Sequence, residues 1–165
     1  MTLLTDDVRA FLGREVSFTA PDELGRSAIR YFALAVGDDN PVYTDDDAAL
    51  AAGHPSVIAP PTLICETNQF LAKPRDGDGF PGHMWDLPLP DCRLVRGGNE
   101  YTFYRPVVPS DVITVTHRIA DMTERLSRSG AQLLSVVNEI TYRDQHGERL
   151  ATNRETLIYE ARDSS

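Results

Sequence analysis

The side chains best placed for proton chemistry lie between Tyr31 and Leu63, in the run YFALAVGDDNPVYTDDDAALAAGHPSVIAPPTL. Asp38, Asn40 and Pro41 come directly after Gly37, a residue type that stops helices. A carboxylate such as Asp38 can hold a water and exchange protons with it, whereas an imidazole titrates near neutrality and can act as the base. Tyr43, shortly after the turn, carries a phenol that titrates near ~10, so it is no base at neutral pH, although it can hydrogen-bond a water or a carbonyl. His54 is the imidazole nearest this turn in sequence. The bland readings stand beside these: Asp, Asn and Pro are common turn formers, and Gly53-His54-Pro55 is a natural exit from an acidic helix. His117 falls in a strand pattern, His146 in a turn, and His83 in a long Pro/Gly-rich segment.

The elements that must position these groups follow from the periodicity. Met1 to Leu12 reads as a small helix or loose arm. Glu15 to Phe18 alternates as a strand. Pro21-Asp22-Glu23 predicts a helix entry, with proline in the first turn and acids against the positive end of the dipole. Ile29, Phe32, Ala33 and Val36 then mark one buried helical face. Thr44 with Asp47 predicts the cap of a short helix whose first turn is acidic and which ends at Gly53. Pro61 to Leu71 is expected to be a helix apolar on most sides, wrapped by the rest of the fold. It carries Glu66 among its polar residues. Lys73 to Asp91 is too long for an ordinary connection, and Met84 and Trp85 sit inside it.

From Arg93 onward the period changes to two. Glu100–Tyr104, Asp111–His117, Leu133–Tyr142 and Leu150–Tyr159 read as strands, with hairpin turns at Ser129-Gly130 and His146-Gly147. An apolar helix followed by an antiparallel meander is an α+β arrangement in one domain spanning residues 1–165.

Composition sets outer limits. A chain of 165 residues, 41% hydrophobic and 25% charged, is ordinary for a globular domain. Its net charge of -9, without a Lys/Arg cluster, argues against nucleic acid and anionic membranes as partners. An anionic ligand would need a local basic patch. The apolar runs are too short to span a bilayer, and a cytoplasmic location is expected. Cys65 and Cys92 lack metal-ligand spacing and read as free thiols, so no metal site is expected; no cofactor is expected either.

The Gly37-Asp38-x-Asn40-Pro41-Val42 run resembles the hydratase motif of the MaoC-like enoyl-thioester hydratases and dehydratases. The Arg105-Pro106 and Ser110-Asp111 segment resembles the usual step between strands of the same family. The resemblance implies a hot-dog fold, in which an antiparallel sheet wraps a central helix. It places Asp38 on the catalytic Asp, Asn40 on the structural Asn and Tyr43 on the position of the catalytic His. Pro61 falls where catalytic members commonly have Gly, and proline has no N–H to offer an oxyanion. His54 is the candidate replacement for the missing imidazole. Asn40, Pro61, Thr62 and Trp85 are expected to line the substrate.

The GHPSVIAPPTL and GGNEYTFYRPV segments are similar to the N-terminal-type, non-catalytic chains of mycobacterial (3R)-hydroxyacyl dehydratases. The resemblance implies a subunit acting on acyl-CoA or acyl-carrier-protein thioesters in fatty acid or polyketide metabolism. It would pair with itself or with a His-bearing related chain. Two alternatives stand beside it: a hot-dog thioesterase using Glu66, and an acyl-binding partner without turnover.

Overall fold

The computed structural model describes residues 2–66 and 85–162. In chain order these form α1 (Asp6–Arg9), β1 (Glu15–Thr19), α2 (Arg26–Val36), a 3₁₀ turn (Pro41–Tyr43), α3 (Asp46–Ala51), α4 (Leu63–Glu66), β2 (Cys92–Phe103), β3 (Thr114–Leu126), β4 (Gln132–Arg143) and β5 (Arg149–Ala161). The strands make one antiparallel sheet in the order β1-β3-β4-β5-β2.

The period-two pattern positions the core. Along β4, Leu134, Val136, Asn138, Ile140 and Tyr142 are buried and alternate with half-buried residues. Val115, His117 and Ile119 of β3 and Ala151, Asn153, Glu155 and Leu157 of β5 continue that inner face. Ile29, Ala33, Tyr43, Ala59, Leu63, Ile64 and Trp85 join the same core. On the outer face Glu139 pairs with Arg118 at 3.4 Å and with Arg154 at 3.0 Å. All three are about half exposed, so this row solubilises the sheet and adds little to its stability.

β2 is an edge with no buried residue. Leu94, Val95 and Phe103 remain exposed along it. Arg93 and Glu160 lie opposite each other across the β2–β5 ladder, and a bulge between Arg96 and Gly98 shifts the register. At Gly97 a Cβ would come within 3.1 Å of the Ile158 and Thr156 side chains, so a larger residue there would make these neighbours shift by a few tenths of an ångström.

Several local expectations change. α2 starts at Arg26, with Gly25 as its cap, and not at Pro21. The Pro21 segment is held instead by Leu24 and Gly25 N–H groups donating to the Asp111 and Pro109 carbonyls. Ile29 and Ala33 form the buried stripe of α2, while Val36 is exposed. The cap of α3 is Asp45 and not Thr44: the Asp45 carboxylate accepts from the N–H groups of Asp47 at 2.8 Å and Ala48 at 3.3 Å. Asp45→Ala is therefore expected to cost about 1 kcal/mol in urea unfolding, with Thr44→Ala near neutral. The reverse ranking would contradict this cap. β3 begins at Thr114, later than Asp111. The Pro61–Leu71 helix is described only as α4, and residues 67–71 of that expectation lie outside the described residues, as do residues 73–84 of the long loop.

Asp111 lies ahead of β3, and its carboxylate is held from elsewhere in the fold. Arg105 grips it with two parallel bonds, Nη1 to Oδ2 at 3.0 Å and Nη2 to Oδ1 at 2.9 Å. Arg105 Nη2 also reaches Asp144 Oδ2 at 2.7 Å, in the β4–β5 turn. Asp111 Oδ2 further accepts the Val108 N–H at 2.8 Å. One guanidinium thus ties the exit of β2, the entry to β3 and the β4–β5 hairpin.

Candidate functional site

The Asp38–Tyr43 segment is built by its own side chains. Gly37 adopts φ 72°, a left-handed conformation natural to glycine, and ends α2. The Asp38 N–H then donates to the Ala33 carbonyl at 2.9 Å. Asp38 Oδ1 accepts the Asn40 N–H at 3.2 Å, and Asn40 Oδ1 accepts the Val42 N–H at 3.2 Å. Pro41 opens the 3₁₀ turn, where its missing N–H costs nothing. Two successive Asx turns therefore carry the chain from an exposed Asp38 to a buried Tyr43.

This turn brings Asp38 and Tyr43 together. Burial, then the charge of Asp38 and a hydrogen bond to its carboxylate, push the Tyr43 phenol above its ordinary value. Tyr43 consequently keeps its proton at neutral pH and serves as a donor toward Asp38. The pair can fix a water or a carbonyl, but its phenol is further from acting as a base than a free tyrosine is.

The other predicted residues are distributed around the turn. His54 is half-buried just after α3, where its N–H donates to the Ala49 carbonyl at 2.9 Å. No hydrogen bond joins its imidazole to Asp38 or Tyr43. Pro61 and Thr62 are exposed at the head of α4, and Glu66 is the last residue of that helix. Trp85 is buried edge-on to Phe11, with ring centroids 6.5 Å apart. Met84 and His83 lie outside the described residues.

Beside Tyr43 is a cavity of about 200 Å³ lined by Arg26, Ser27, Arg30, Tyr43, Thr44 and Val57. Arg26 is held by Asp46 at 2.9 Å, and Asp46 also accepts the Val57 N–H at 3.0 Å. The hydrogen bond from Arg26, then that from Val57, keeps the Asp46 carboxyl below its usual range. Arg30 lies 5.1 Å from the Tyr31 ring and makes no ion pair among the described residues. With Arg26 neutralised by Asp46, Arg30 is the cation of this cavity that has no ion pair among the described residues. The cavity's only signal in sequence is two arginines four residues apart, which α2 places on one side. Among the described residues no group of three or more His, Cys, Asp or Glu could hold a metal ion, and no helix is long and apolar enough to cross a membrane.

A five-stranded antiparallel sheet carrying this turn is a hot-dog fold of the dehydratase type. In solved structures the same fold is found in the ChsH1-ChsH2 complex from Mycobacterium tuberculosis, with a TM-score of 0.72 and 21% identity over 96% of this chain and 89% of that one. A MaoC-like dehydratase from Rhodospirillum rubrum matches with a TM-score of 0.68 and 19% identity over 93% of this chain and 94% of its own. The model of the FAS1-like, dehydratase domain region matches residues 10–153, and the chain belongs to that family. It is similar to UPF0336 protein SCO4636 of Streptomyces coelicolor, 37% identical over 93% of this chain and 95% of the relative. It is also similar to a probable enoyl-CoA hydratase alpha subunit of Thermomonospora curvata, 30% identical over 92% of this chain and 50% of the relative.

Proposed function

We propose that this chain is a subunit of a (3R)-hydroxyacyl-thioester dehydratase or enoyl-thioester hydratase, and that it supplies the acyl-binding, catalytically degenerate half. The observation that carries this reading is Tyr43, buried and kept protonated against Asp38 where the hydratase motif has its imidazole. Asp38, Asn40 and Pro41 preserve the turn, while the group that would titrate near neutrality is replaced. Pro61 removes a backbone donor as well. The similarity to an enoyl-CoA hydratase alpha subunit supports the reaction class. Arg30 in the cavity beside Tyr43 supports an anionic carrier, since both coenzyme A and the phosphopantetheine arm of a carrier protein bear phosphate.

The exposed edge supports a partner. Leu94, Val95 and Phe103 lie exposed on β2, an edge of the described sheet, and α2 exposes Tyr31 and Leu34 by 62% and 70%. A solved structure with this fold is a complex of two different chains. The chain is expected to sediment as a dimer at micromolar concentration, alone or with a His-bearing relative. A monomer that binds no such relative would contradict this.

The reaction class is tested by incubating the chain, with and without that relative, with an enoyl thioester. Loss of enoyl absorbance without free thiol marks hydration. Free thiol marks hydrolysis and would overturn the proposal, as would no turnover in either preparation.

A further inference from the structure

The inner face of the sheet carries a polar row that the fold does not complete. Asn99 of β2, Glu155 of β5 and Asn138 of β4 stand directly opposite one another across three strands. Asn153 lies two residues before Glu155 on the same face of β5. Asn138, Asn153 and Glu155 are only 2%, 3% and 7% exposed. Asn138 Nδ2 donates to Glu155 Oε2 at 3.4 Å, a long bond, and Asn153 Nδ2 donates to Asn99 Oδ1 at 2.9 Å. Arg96 Nη1 lies 3.8 Å from Glu155 Oε1. Among the described residues, the Oδ1 atoms of Asn138 and Asn153 accept no hydrogen bond.

Buried acceptors left empty are costly, and native interiors contain few of them. The fold does not require polar residues here. Directly across from Asn138 is Ile119, and across from Asn153 is Ile140. The row is also not sealed inside the core. Asn99 and Arg96 are exposed on the edge strand, so polar side chains run from solvent to the middle of the sheet.

The unmet atoms define the missing group. Both are neutral amide oxygens, and Arg96 already lies beside the Glu155 carboxylate. The group that would complete them is an uncharged donor. A hydroxyl fits: it donates to one orphan oxygen and accepts the unused Nδ2 hydrogen of a neighbouring asparagine. We infer that Asn138, Asn153 and Glu155 form a recognition site for a hydroxyl group on the distal hydrocarbon of an acyl ligand, separate from the 3-hydroxyl of the proposed reaction. This rests on the acyl-binding reading above and narrows the ligand to acyl groups that carry such a further hydroxyl.

The test is titration calorimetry of the full chain with decanoic acid and with monohydroxylated decanoic acids, the hydroxyl placed at successive positions along the distal half. At least one isomer is expected to bind about tenfold more tightly than the parent acid, the value of one added hydrogen bond. In Asn138→Leu and, separately, Asn153→Leu, parent binding should persist while the preference falls toward unity. Melting temperatures should hold or rise, because an unmet polar group has been replaced by an apolar one. Equal binding of every isomer and the parent by the wild type overturns this inference alone, since a buried water or a partner's donor then fills the row. A preference retained in both variants overturns it too. Binding of none of the acids overturns both the inference and the acyl-binding reading.

Discussion

The isolated chain is expected to hydrate an enoyl thioester about 10²–10⁴-fold more slowly than the same chain supplied with a His-bearing related subunit. The magnitude is that of one general acid–base partner. Hydration needs a group that takes a proton from water and a group that handles the proton at the α-carbon. At the turn, Asp38 is present, and Tyr43 has its phenol pushed above the ordinary value by burial and then by Asp38. The direction matters. A raised phenol remains protonated across the whole physiological range, so Tyr43 adds no base as pH rises through neutrality, and no activity limb there should trace to it. Asp38→Asn and Tyr43→Phe should leave the trace rate of the isolated chain unchanged. Robust turnover by the wild type alone, lost in Asp38→Asn, would identify a self-sufficient hydratase. His54 would then be the residue to replace next.

Removing Arg105 should have the largest effect on stability. Arg105→Met is expected to lower unfolding free energy by about 3–5 kcal/mol, because it leaves two buried carboxylates without their shared cation. The Asp111 and Asp144 side chains are 3% and 4% exposed, and Arg105 is itself mostly covered. Burial alone would raise the Asp144 carboxyl. Hydrogen bonds from Arg105 and from the Glu148 and His146 N–H groups outweigh it and hold Asp144 below the usual carboxylate range. A depressed carboxyl contributes stability above its unfolded value of about 4 and loses it as pH falls through the lower folded value. The wild type should therefore weaken on acidification below about pH 4. In Arg105→Met the Asp144 carboxyl loses its cation, so lowering the pH should recover part of the lost stability. Urea unfolding of both proteins at neutral and mildly acidic pH measures this. A loss under about 1 kcal/mol would show that the clip is no more than a surface pair.

Much of the local structure was legible in the residues. The αL stop at Gly37, the Asp38-x-Asn40-Pro41 turn, β1 and the hairpins at Ser129-Gly130 and His146-Gly147 follow from short-range sterics and hydrogen bonding. Alternation along β4 announced its buried face because the strand period is two. Where competing local signals were close, sequence misjudged the boundary. Thr44 and Asp45 can both cap a helix, and the extended backbone of Asp45, φ -124° and ψ 119°, decides between them. Pro21 suits a first turn, yet hydrogen bonds to Pro109 and Asp111 carry the chain onward to Arg26.

By itself the sequence determined the class of fold, the turn that presents Asp38 and the absence of an imidazole at Tyr43. Only the tertiary structure decided what surrounds them. The rise of the Tyr43 phenol above its ordinary value depends on burial and on the Asp38 carboxylate, and the cavity beside it on α2 lying against the 3₁₀ turn. The Arg105 clip joins residues 39 apart in sequence, and the Asn99–Glu155–Asn138 row exists only in one register of three strands. Periodicity reports which face a residue occupies. Cross-strand register and long-range packing decide which residue it meets, and interaction energies depend on that meeting.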